Sequence, residues 1–208
     1  NNGVGKFIFA SSSAIYGDTE SIPTNEFVKA MPQSPYAEQK LAAEEYCNNY
    51  YKSNKLRTTS LRYFNVFGPY QDPGSEYSAV IPKFITLALN NKDLTIYGNG
   101  KSTRDFVFVD DVIQANLGAA ISEKSDGEAI NIAHGETISI GDLANMIIKI
   151  TGSKSSVVYA SPRAGDIVHS AADLTKARNL IGYESKTSME RGLSLTIDYF
   201  KQSVSNAQ

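Results

Sequence analysis

The hydrophobic and polar positions of the chain alternate between a strand period and a helix period, which predicts an α/β protein. A short apolar run typical of a strand in a parallel sheet occurs at 6–10 (KFIFA), and further strands are predicted at 57–64 (RTTSLRYF) and 129–133 (AINIA). The stretch 34–53 has helical spacing and opens with Ser-Pro, a favourable helix start. Strand, helix and strand in this order predict a right-handed parallel crossover.

The remaining segments continue the alternation. We predict helices at 78–90, 110–122, 140–151, 174–181 and 187–201, short strands at 94–98, 104–109 and 155–160, and a Gly- and Pro-rich loop at 65–77. Asp110 and Asp111 are expected to cap the second of these helices, and Gly152 to end the third.

The first strand and the first helix are expected to be core elements. A continuous apolar run such as KFIFA predicts a strand that is buried on both faces. In the helix, we expect Leu41, Tyr46 and Tyr50 to pack against the core. Cys47 lies in the same helical pattern and is interpreted as a core residue.

Composition and charge exclude several classes of protein. The 208 residues are 41% hydrophobic and 20% charged, with a formal net charge of −2, so we expect a globular protein without a nucleic-acid partner. No apolar stretch approaches the about 20 residues of a membrane span. A single cysteine excludes an internal disulfide and, with the other features, predicts a cytoplasmic protein. His134 and His169 lack metal-ligand spacing, and no metal is expected.

Candidate chemistry is concentrated between residues 11 and 40. Tyr36 and Lys40 are four residues apart, so they share a helix face, although this spacing also arises by chance in many helices. The SSSAIYG segment directly follows a predicted strand, which brings serine hydroxyls to the carboxyl edge of the sheet, where ligands bind. A free phenol has a pKa of about 10 and is a poor base at neutral pH. A neighbouring ammonium favours the phenolate, so this group can work as a proton-transfer site.

Together, SSSAIYG and YAEQK resemble the catalytic centre of the extended short-chain dehydrogenase/reductase family. The resemblance implies Ser12, Tyr36 and Lys40 as catalytic residues, with Tyr36 and Lys40 also contacting an NAD cofactor. Ser12 is implied to hydrogen-bond the substrate as well, and Ser13 to reach it. Ser11 is interpreted as structural.

Further motifs resemble the nucleotide-sugar epimerases of this family. In the segment RYFNVFGP, the resemblance implies that Phe64 lies beside the nicotinamide and that Asn65 contacts a UDP-sugar. Without it, Phe64 would be a core residue and Asn65 a turn residue. By the same resemblance, Val80 contributes to the substrate site, and Tyr97 packs near the uracil. Ordinary strand packing is the alternative for Tyr97.

Two arginines match family positions that hold the diphosphate: Arg104 in KSTRDFVFVDDV and Arg163 in SPRAGD. Guanidinium groups make charge-assisted contacts with phosphate oxygens. Asp166 and Ser170, in GDIVHSAAD, fall on substrate-binding positions. In the UDP-hexose 4-epimerases a small residue at the position of Ser170 is associated with tolerance of N-acetylated sugars.

The resemblance implies the C-terminal part of a Rossmann-like fold with a small α/β substrate-binding domain. Residues 1–66, with 104–133 returning to them, are expected to belong to the NAD-binding domain, and 67–103 and 134–208 mainly to the UDP-sugar domain. The implied activity is 4-epimerisation of UDP-glucose and UDP-galactose, and of their N-acetylated counterparts, by transient oxidation at C4 with bound NAD. A homodimer is implied as well.

The sequence departs from the family pattern at one place. The Gly-rich turn G-x-x-G-x-x-G, which receives the dinucleotide pyrophosphate, does not occur in these 208 residues. The chain therefore resembles a fragment, and we expect an unpaired edge at KFIFA, marginal stability and little activity on its own. A sugar-nucleotide dehydratase, a decarboxylase or reductase of the family, and a non-catalytic UDP-sugar-binding fragment remain the alternatives.

Overall fold

A computed structural model describes residues 3–72, 80–162 and 169–205. In chain order these residues form β1 (Lys6–Ser12), α1 (Pro35–Lys52), β2 (Arg57–Tyr63), β3 (Asn65–Phe67), α2 (Val80–Leu89), β4 (Leu94–Tyr97), β5 (Thr103–Phe108), α3 (Val109–Ile121), β6 (Glu128–Ile132), β7 (Thr137–Ser139), α4 (Ile140–Thr151), β8 (Val157–Ala160), α5 (Thr175–Ile181) and α6 (Met189–Ser205). Short 3₁₀ turns lie at Ser13–Tyr16 and Glu123–Ser125. The predicted α/β class is confirmed.

A parallel sheet in the order β1-β2-β6 carries the first half of the candidate site. β1 and β2 pair in parallel, with Ser12 opposite Tyr63 at their carboxyl ends, and α1 is the crossover between them. This confirms the predicted strand–helix–strand unit. In a second sheet, β5 pairs in parallel with β3 and antiparallel with β7. β4 and β8 form a separate parallel pair.

Two hydrophobic clusters form the core. The first lies around the β1-β2-β6 sheet and consists of Ile15, Tyr16, Leu61, Phe64, Val107, Val112, Ala115, Ala119, Ile130, Ile132, Ala133, Ala172, Leu174, Ala177 and Tyr183. The second is built mainly from α2, β4, β5, α4 and α6. α5 contributes to the first cluster, although the sequence analysis assigns residues 134–208 mainly to the UDP-sugar domain. The division into two domains stays a prediction.

Two expectations about the first crossover are wrong. β1 is not buried on both faces: Phe7 is 45% exposed, because β1 is an edge strand of its sheet among the described residues. Tyr46 and Tyr50 are 70% and 52% exposed. They lie away from the helix face that packs on the sheet, which presents Ala37, Glu44 and Cys47. The prediction for Cys47 is confirmed, since this thiol is buried.

The structure differs from the sequence predictions at three further places, and tertiary contacts account for each of them. Residues 65–67 were expected in a loop, but they pair with β5 as β3, and 137–139 form the unpredicted β7 on its other side. Asp110 and Asp111 do not cap α3, which begins at Val109 without a side-chain cap. Instead, the buried Asp111 carboxylate accepts hydrogen bonds from the backbone of 186 and 187. Such contacts join segments that are distant in sequence, and local patterns do not encode them.

No helix in the described ranges is long and apolar enough to cross a membrane.

Candidate functional site

The N-terminal turns of α1 hold the predicted Tyr-Lys pair against the end of β1. Ser34 caps the helix by accepting a hydrogen bond from the Ala37 amide (3.2 Å), and Pro35 occupies the first turn. The Lys40 ammonium donates to the Ala10 carbonyl (2.7 Å) and lies 5.5 Å from the centre of the Tyr36 ring. Tyr36 and Lys40 therefore share a face, and this face is attached to the carboxyl end of β1.

A short 3₁₀ turn aims the serines that follow β1. The Ser12 hydroxyl accepts a hydrogen bond from the Ala14 amide (3.2 Å) and so caps the turn Ser13–Tyr16. Gly17 ends the turn with φ +64°, and a Cβ at this position would lie 2.2 Å from the Met31 carbonyl oxygen. Only glycine fits such a position, which explains why the segment reads SSSAIYG.

A cavity of about 280 Å³ lies over the carboxyl ends of β1 and β2. Its walls contain six of the predicted site residues: Ser12, Ser13, Phe64, Asn65, Arg104 and Ser170. It is also lined by Tyr16, Thr19, Thr24, Tyr63 and His169, to which the sequence assigned no role in binding. Thr19 and Thr24 belong to the connection between β1 and α1, and nothing in its sequence marks them as wall residues. Tyr36 and Lys40 do not line this cavity.

A second cavity of about 260 Å³ adjoins the first. Val80 and Tyr97, both predicted to contact substrate, line it together with Phe84, Thr95, Ile96, Ser102, Phe106 and Ile140. Asn65 and Arg104 line both cavities. The two cavities therefore share a wall of Asn65 and Arg104, with serine hydroxyls lining the first cavity and Tyr97 lining the second; the two cavities together are called the cleft below.

Strand β5 fixes the middle of the cleft. The Asn65 side-chain amide donates to the Asp105 carbonyl (2.9 Å), and the Arg104 guanidinium donates to the Thr103 carbonyl (2.9 Å). The same Thr103 carbonyl accepts from the Ser170 amide (3.1 Å), so Ser170 lies next to Arg104 in space although 66 residues separate them in sequence. Thr103 also hydrogen-bonds the His169 ring at 2.9 Å.

The buried carboxylate of Asp105, on β5, binds the backbone of two neighbouring loops. Asp105 accepts hydrogen bonds from the amides of His134 (2.8 Å), Gly135 (3.1 Å) and Ala172 (3.4 Å), which ties two loops to β5. Burial raises the pKa of Asp105, and the three amide donors oppose the increase. Its contact with Ala172 holds the segment that carries Ser170.

A buried ion pair lies behind the first cavity. The Arg62 guanidinium donates to the Glu44 carboxylate through Nη2 (2.7 Å) and Nε (3.0 Å), and both side chains are about nine-tenths buried. Ser11 Oγ donates to the same carboxylate. Arg62 also donates to the Tyr16 hydroxyl (2.9 Å), which donates in turn to Asn131 Oδ1 (2.7 Å). This polar network links α1, β1, β2, β6 and the 3₁₀ turn.

The buried Tyr16 of this network makes the folded protein less stable at alkaline pH. Burial raises the pKa of Tyr16 to about 12, and the Arg62 charge opposes the increase. Unfolded tyrosine ionises at about pH 10, so between pH 10 and 12 the unfolded chain loses a proton that the folded chain keeps. The contribution of Tyr16 is therefore complete below pH 10 and is lost as the pH rises towards 12, at up to about 1.4 kcal/mol per pH unit.

Urea unfolding of the wild type and of Tyr16→Phe between pH 9 and 11 measures this effect. We expect a shallower loss of stability with pH in the variant, and no change of slope in Tyr159→Phe, since Tyr159 is 59% exposed. Equal slopes for the wild type and Tyr16→Phe would refute the assignment.

The outcome for the remaining predicted residues is mixed. Arg163 and Asp166 lie outside the described residues. The described parts of the chain contain no group of three or more His, Cys, Asp or Glu side chains that could hold a metal ion. The individual roles assigned to Ser12, Tyr36, Phe64 and the others stay predictions, although their positions form one cleft with the Tyr-Lys face beside it.

Known proteins that are similar to this chain include nucleotide-sugar epimerases and a decarboxylase. The structure of a UDP-glucose 4-epimerase from Thermotoga maritima with UDP-glucose superimposes with a TM-score of 0.91 and 40% identity, covering 97% of this chain and 65% of that one. A UDP-N-acetylglucosamine 4-epimerase from Methanobrevibacter ruminantium, in complex with UDP-N-acetylmuramic acid, superimposes with a TM-score of 0.92 and 39% identity over 98% and 65% of the chains. A UDP-N-acetyl-alpha-D-glucosaminuronate decarboxylase from Bacillus cytotoxicus is 35% identical over 95% of this chain and 64% of its own length.

The chain thus spans just under two thirds of the length of these relatives. Its fold is the Rossmann-like fold of the extended short-chain dehydrogenases/reductases that the motifs implied. The model of the NAD dependent epimerase/dehydratase family matches residues 1–133, which is more than half of the chain. The chain therefore belongs to the NAD dependent epimerase/dehydratase family.

Proposed function

We propose that the protein is a UDP-sugar 4-epimerase that works with NAD. The observation that carries the proposal is the cleft itself. Its two cavities share Arg104 and Asn65, one end presents Tyr97, and the other end presents Ser12 beside the attached Tyr36-Lys40 face. A ligand with an aromatic base, a negatively charged linker and a polyhydroxyl group matches this order of side chains.

The described residues fit the nicotinamide end of NAD. Lys40 is held at the carboxyl end of β1, where dinucleotides bind in open α/β sheets, and the largely buried Phe64 lines the adjacent cavity. We propose Tyr36, Lys40 and Phe64 as the residues that would hold this end. Bound there, NAD would accept a hydride from C4 of the sugar and return it.

The residues of this chain would perform the proton chemistry. The charge of Lys40 favours the phenolate form of Tyr36, which takes the proton of the C4 hydroxyl as hydride leaves C4 and so becomes the neutral phenol. Ser12 hydrogen-bonds the same sugar oxygen, and Ser13 contacts a neighbouring hydroxyl. When hydride returns to the opposite face of the ring, Tyr36 gives the proton back, and the configuration at C4 is inverted.

The remaining contacts would hold the nucleotide. Arg104, joined by Arg163, neutralises the diphosphate, and Asn65 fixes its register from the shared wall of the two cavities. Tyr97 and Val80 pack around the uracil end, while Asp166 and Ser170 border the substrate. A firmly held diphosphate and a roomier sugar pocket suit epimerisation, because the oxidised sugar must turn over between the two hydride transfers.

We also propose the family's two-domain division, with 1–66 and 104–133 around NAD and the rest mainly around the UDP-sugar, and a homodimer. The relatives include a decarboxylase, so a related sugar-nucleotide reaction is the second candidate. Dehydratases place an Asp-Glu pair directly after the catalytic hydroxyl residue, and here those positions are Ser13 and Ala14. Without these groups, elimination of water lacks its added acid and base.

Product analysis tests the function. The protein encoded by the complete gene is incubated with NAD and either UDP-glucose or, in a parallel reaction, UDP-glucuronate, and the products are separated and identified by NMR. We expect UDP-galactose as the single product from UDP-glucose. Conversion of UDP-glucuronate to a pentose nucleotide without epimerisation would identify a decarboxylase instead. UDP-glucose binding without turnover, and without nicotinamide released on denaturation, would identify a non-catalytic binding protein.

Ser170 is expected to set tolerance of N-acetylated sugars. It lines the sugar end of the cleft beside Arg104, where its small side chain leaves space that a tyrosine would fill. We expect Ser170→Tyr to lower kcat/KM for UDP-N-acetylglucosamine at least about 100-fold relative to UDP-glucose, because an overfilled pocket costs a few kcal/mol. Ser170→Ala is the control and should keep the wild-type ratio. An unchanged ratio in Ser170→Tyr would contradict the assignment.

A further inference from the structure

Two side-chain hydrogen bonds join the carboxyl end of β1 to α1, where Lys40 also lies 5.1 Å from the centre of the Phe9 ring. The Lys40 ammonium reaches the Ala10 carbonyl (2.7 Å), and one residue later the Ser11 hydroxyl reaches the Glu44 carboxylate. Both contacts fall directly before Ser12. On the helix, Lys40 and Glu44 lie one and two turns beyond Tyr36, on the same face. The Ser11–Glu44 hydrogen bond adds a second restraint one residue from the first, so the strand end is held at two adjacent positions against the helix.

In the second contact, between Ser11 and Glu44, the carboxylate is held in place by Arg62 as well. Ser11 and Arg62 are paired neighbours in the β1–β2 ladder, and both side chains reach Glu44. The two-pronged contact of Arg62 leaves the carboxylate little freedom to rotate. Ser11 is 2% exposed and lines neither cavity of the cleft, so its hydroxyl is not available to a ligand.

We propose that Ser11 and Glu44 are positioning residues of the reaction centre, and that the Ser11–Glu44 contact sets the place of Ser12 relative to Tyr36 and Lys40. The proposal deepens the proposed epimerase function and rests on it. It assigns a role to the first serine of SSSAIYG and to the helix position one turn after the lysine. Catalytic geometry is sensitive at this scale, since a displacement of about 1 Å can cost about 100-fold in rate.

The test compares two substitutions, each of which removes one hydroxyl group that joins a strand of the sheet to α1. Ser11→Ala removes the proposed contact. Thr58→Val is the matched control, because the Thr58 hydroxyl also joins β2 to α1, at the Cys47 carbonyl (2.9 Å), away from the cleft. Glu44→Asp is a second variant that keeps the charge facing Arg62 and withdraws the carboxylate by one carbon. Ser11→Thr, which restores a hydroxyl, is the rescue.

Two readouts are taken. In Ser11→Ala and Glu44→Asp we expect amide hydrogen exchange in residues 11–14 to be at least about fivefold faster. In Ser11→Ala, which leaves the Arg62–Glu44 pair in place, the exchange of β2 and β6 should be unchanged. In the complete protein with NAD, we expect kcat for UDP-glucose to fall about 10-fold with KM within about twofold. Thr58→Val should show neither effect, and Ser11→Thr should recover at least half of the lost kcat.

The outcomes separate the two proposals. Faster exchange in both variants without any wild-type turnover would keep the contact as the device that fixes Ser12 and would reject the epimerase function. Wild-type turnover with Ser11→Ala indistinguishable from Thr58→Val in both readouts would reject the positioning role and keep the function. A melting temperature lowered equally in all variants, with unchanged exchange in 11–14, would also reject it.

Discussion

Replacing Glu44 with glutamine is expected to lower the free energy of unfolding by about 3–5 kcal/mol. The substitution keeps the size of the side chain but leaves the guanidinium of Arg62 in a site that is about nine-tenths buried without its counter-charge. The cost of an uncompensated buried charge exceeds the loss of one hydrogen bond, because a guanidinium that is about nine-tenths buried keeps little of its hydration. Urea unfolding followed by circular dichroism measures the change.

The chain offers a matched control for this prediction. Glu128 forms an ion pair with Lys176 at 2.7 Å, but the Glu128 side chain is 44% exposed. Glu128→Gln should therefore cost less than about 1 kcal/mol. The double variant Glu44→Gln with Arg62→Met should recover part of the loss, since no charge remains buried. A loss below 1 kcal/mol for Glu44→Gln would show that the pair is not the centre of the network.

Tyr36→Phe is expected to have the largest effect on activity. It removes only the hydroxyl that would carry the proton of the C4 oxygen, so kcat should fall about 100- to 10,000-fold in the complete protein with NAD. The affinity for UDP-glucose should change less than about threefold, because the nucleotide contacts lie elsewhere in the cleft. Steady-state kinetics and calorimetry separate the two quantities.

Tyr46→Phe is the control for this variant, since it removes a phenol hydroxyl from the same helix at a position that is 70% exposed. It should leave kcat and the affinity unchanged. A Tyr36→Phe protein that retains more than a tenth of the wild-type kcat would exclude Tyr36 as the proton-transfer residue.

Local sequence signals predicted the elements that present the site. The Ser34-Pro35 start predicted α1, with Tyr36 and Lys40 on one face, and the strand patterns predicted β1, β2 and β6, so Ser12 was placed correctly at the carboxyl end of the sheet. These signals are short-range: a cap, a turn glycine and the strand alternation each involve a few consecutive residues.

Long-range contacts were beyond the reach of the sequence. The three-residue strands β3 and β7 exist only because β5 lies between them. Arg62 was part of a strand pattern, and nothing indicated that it would meet Glu44 and Tyr16, which lie 18 and 46 residues away. Thr24 similarly lines the cavity because the backbone of 171–173 pairs with it. Such pairings depend on the assembled fold.

Deuterium at C4 of the substrate tests the central claim most directly. The complete protein is incubated with NAD and UDP-[4-²H]glucose, and the position of the label is determined by NMR. If the cleft oxidises and reduces the same carbon, the product is UDP-galactose with deuterium retained at C4, and turnover is slower than with unlabelled substrate. Absence of UDP-galactose, loss of the label to solvent, or its appearance at C6 would contradict the account.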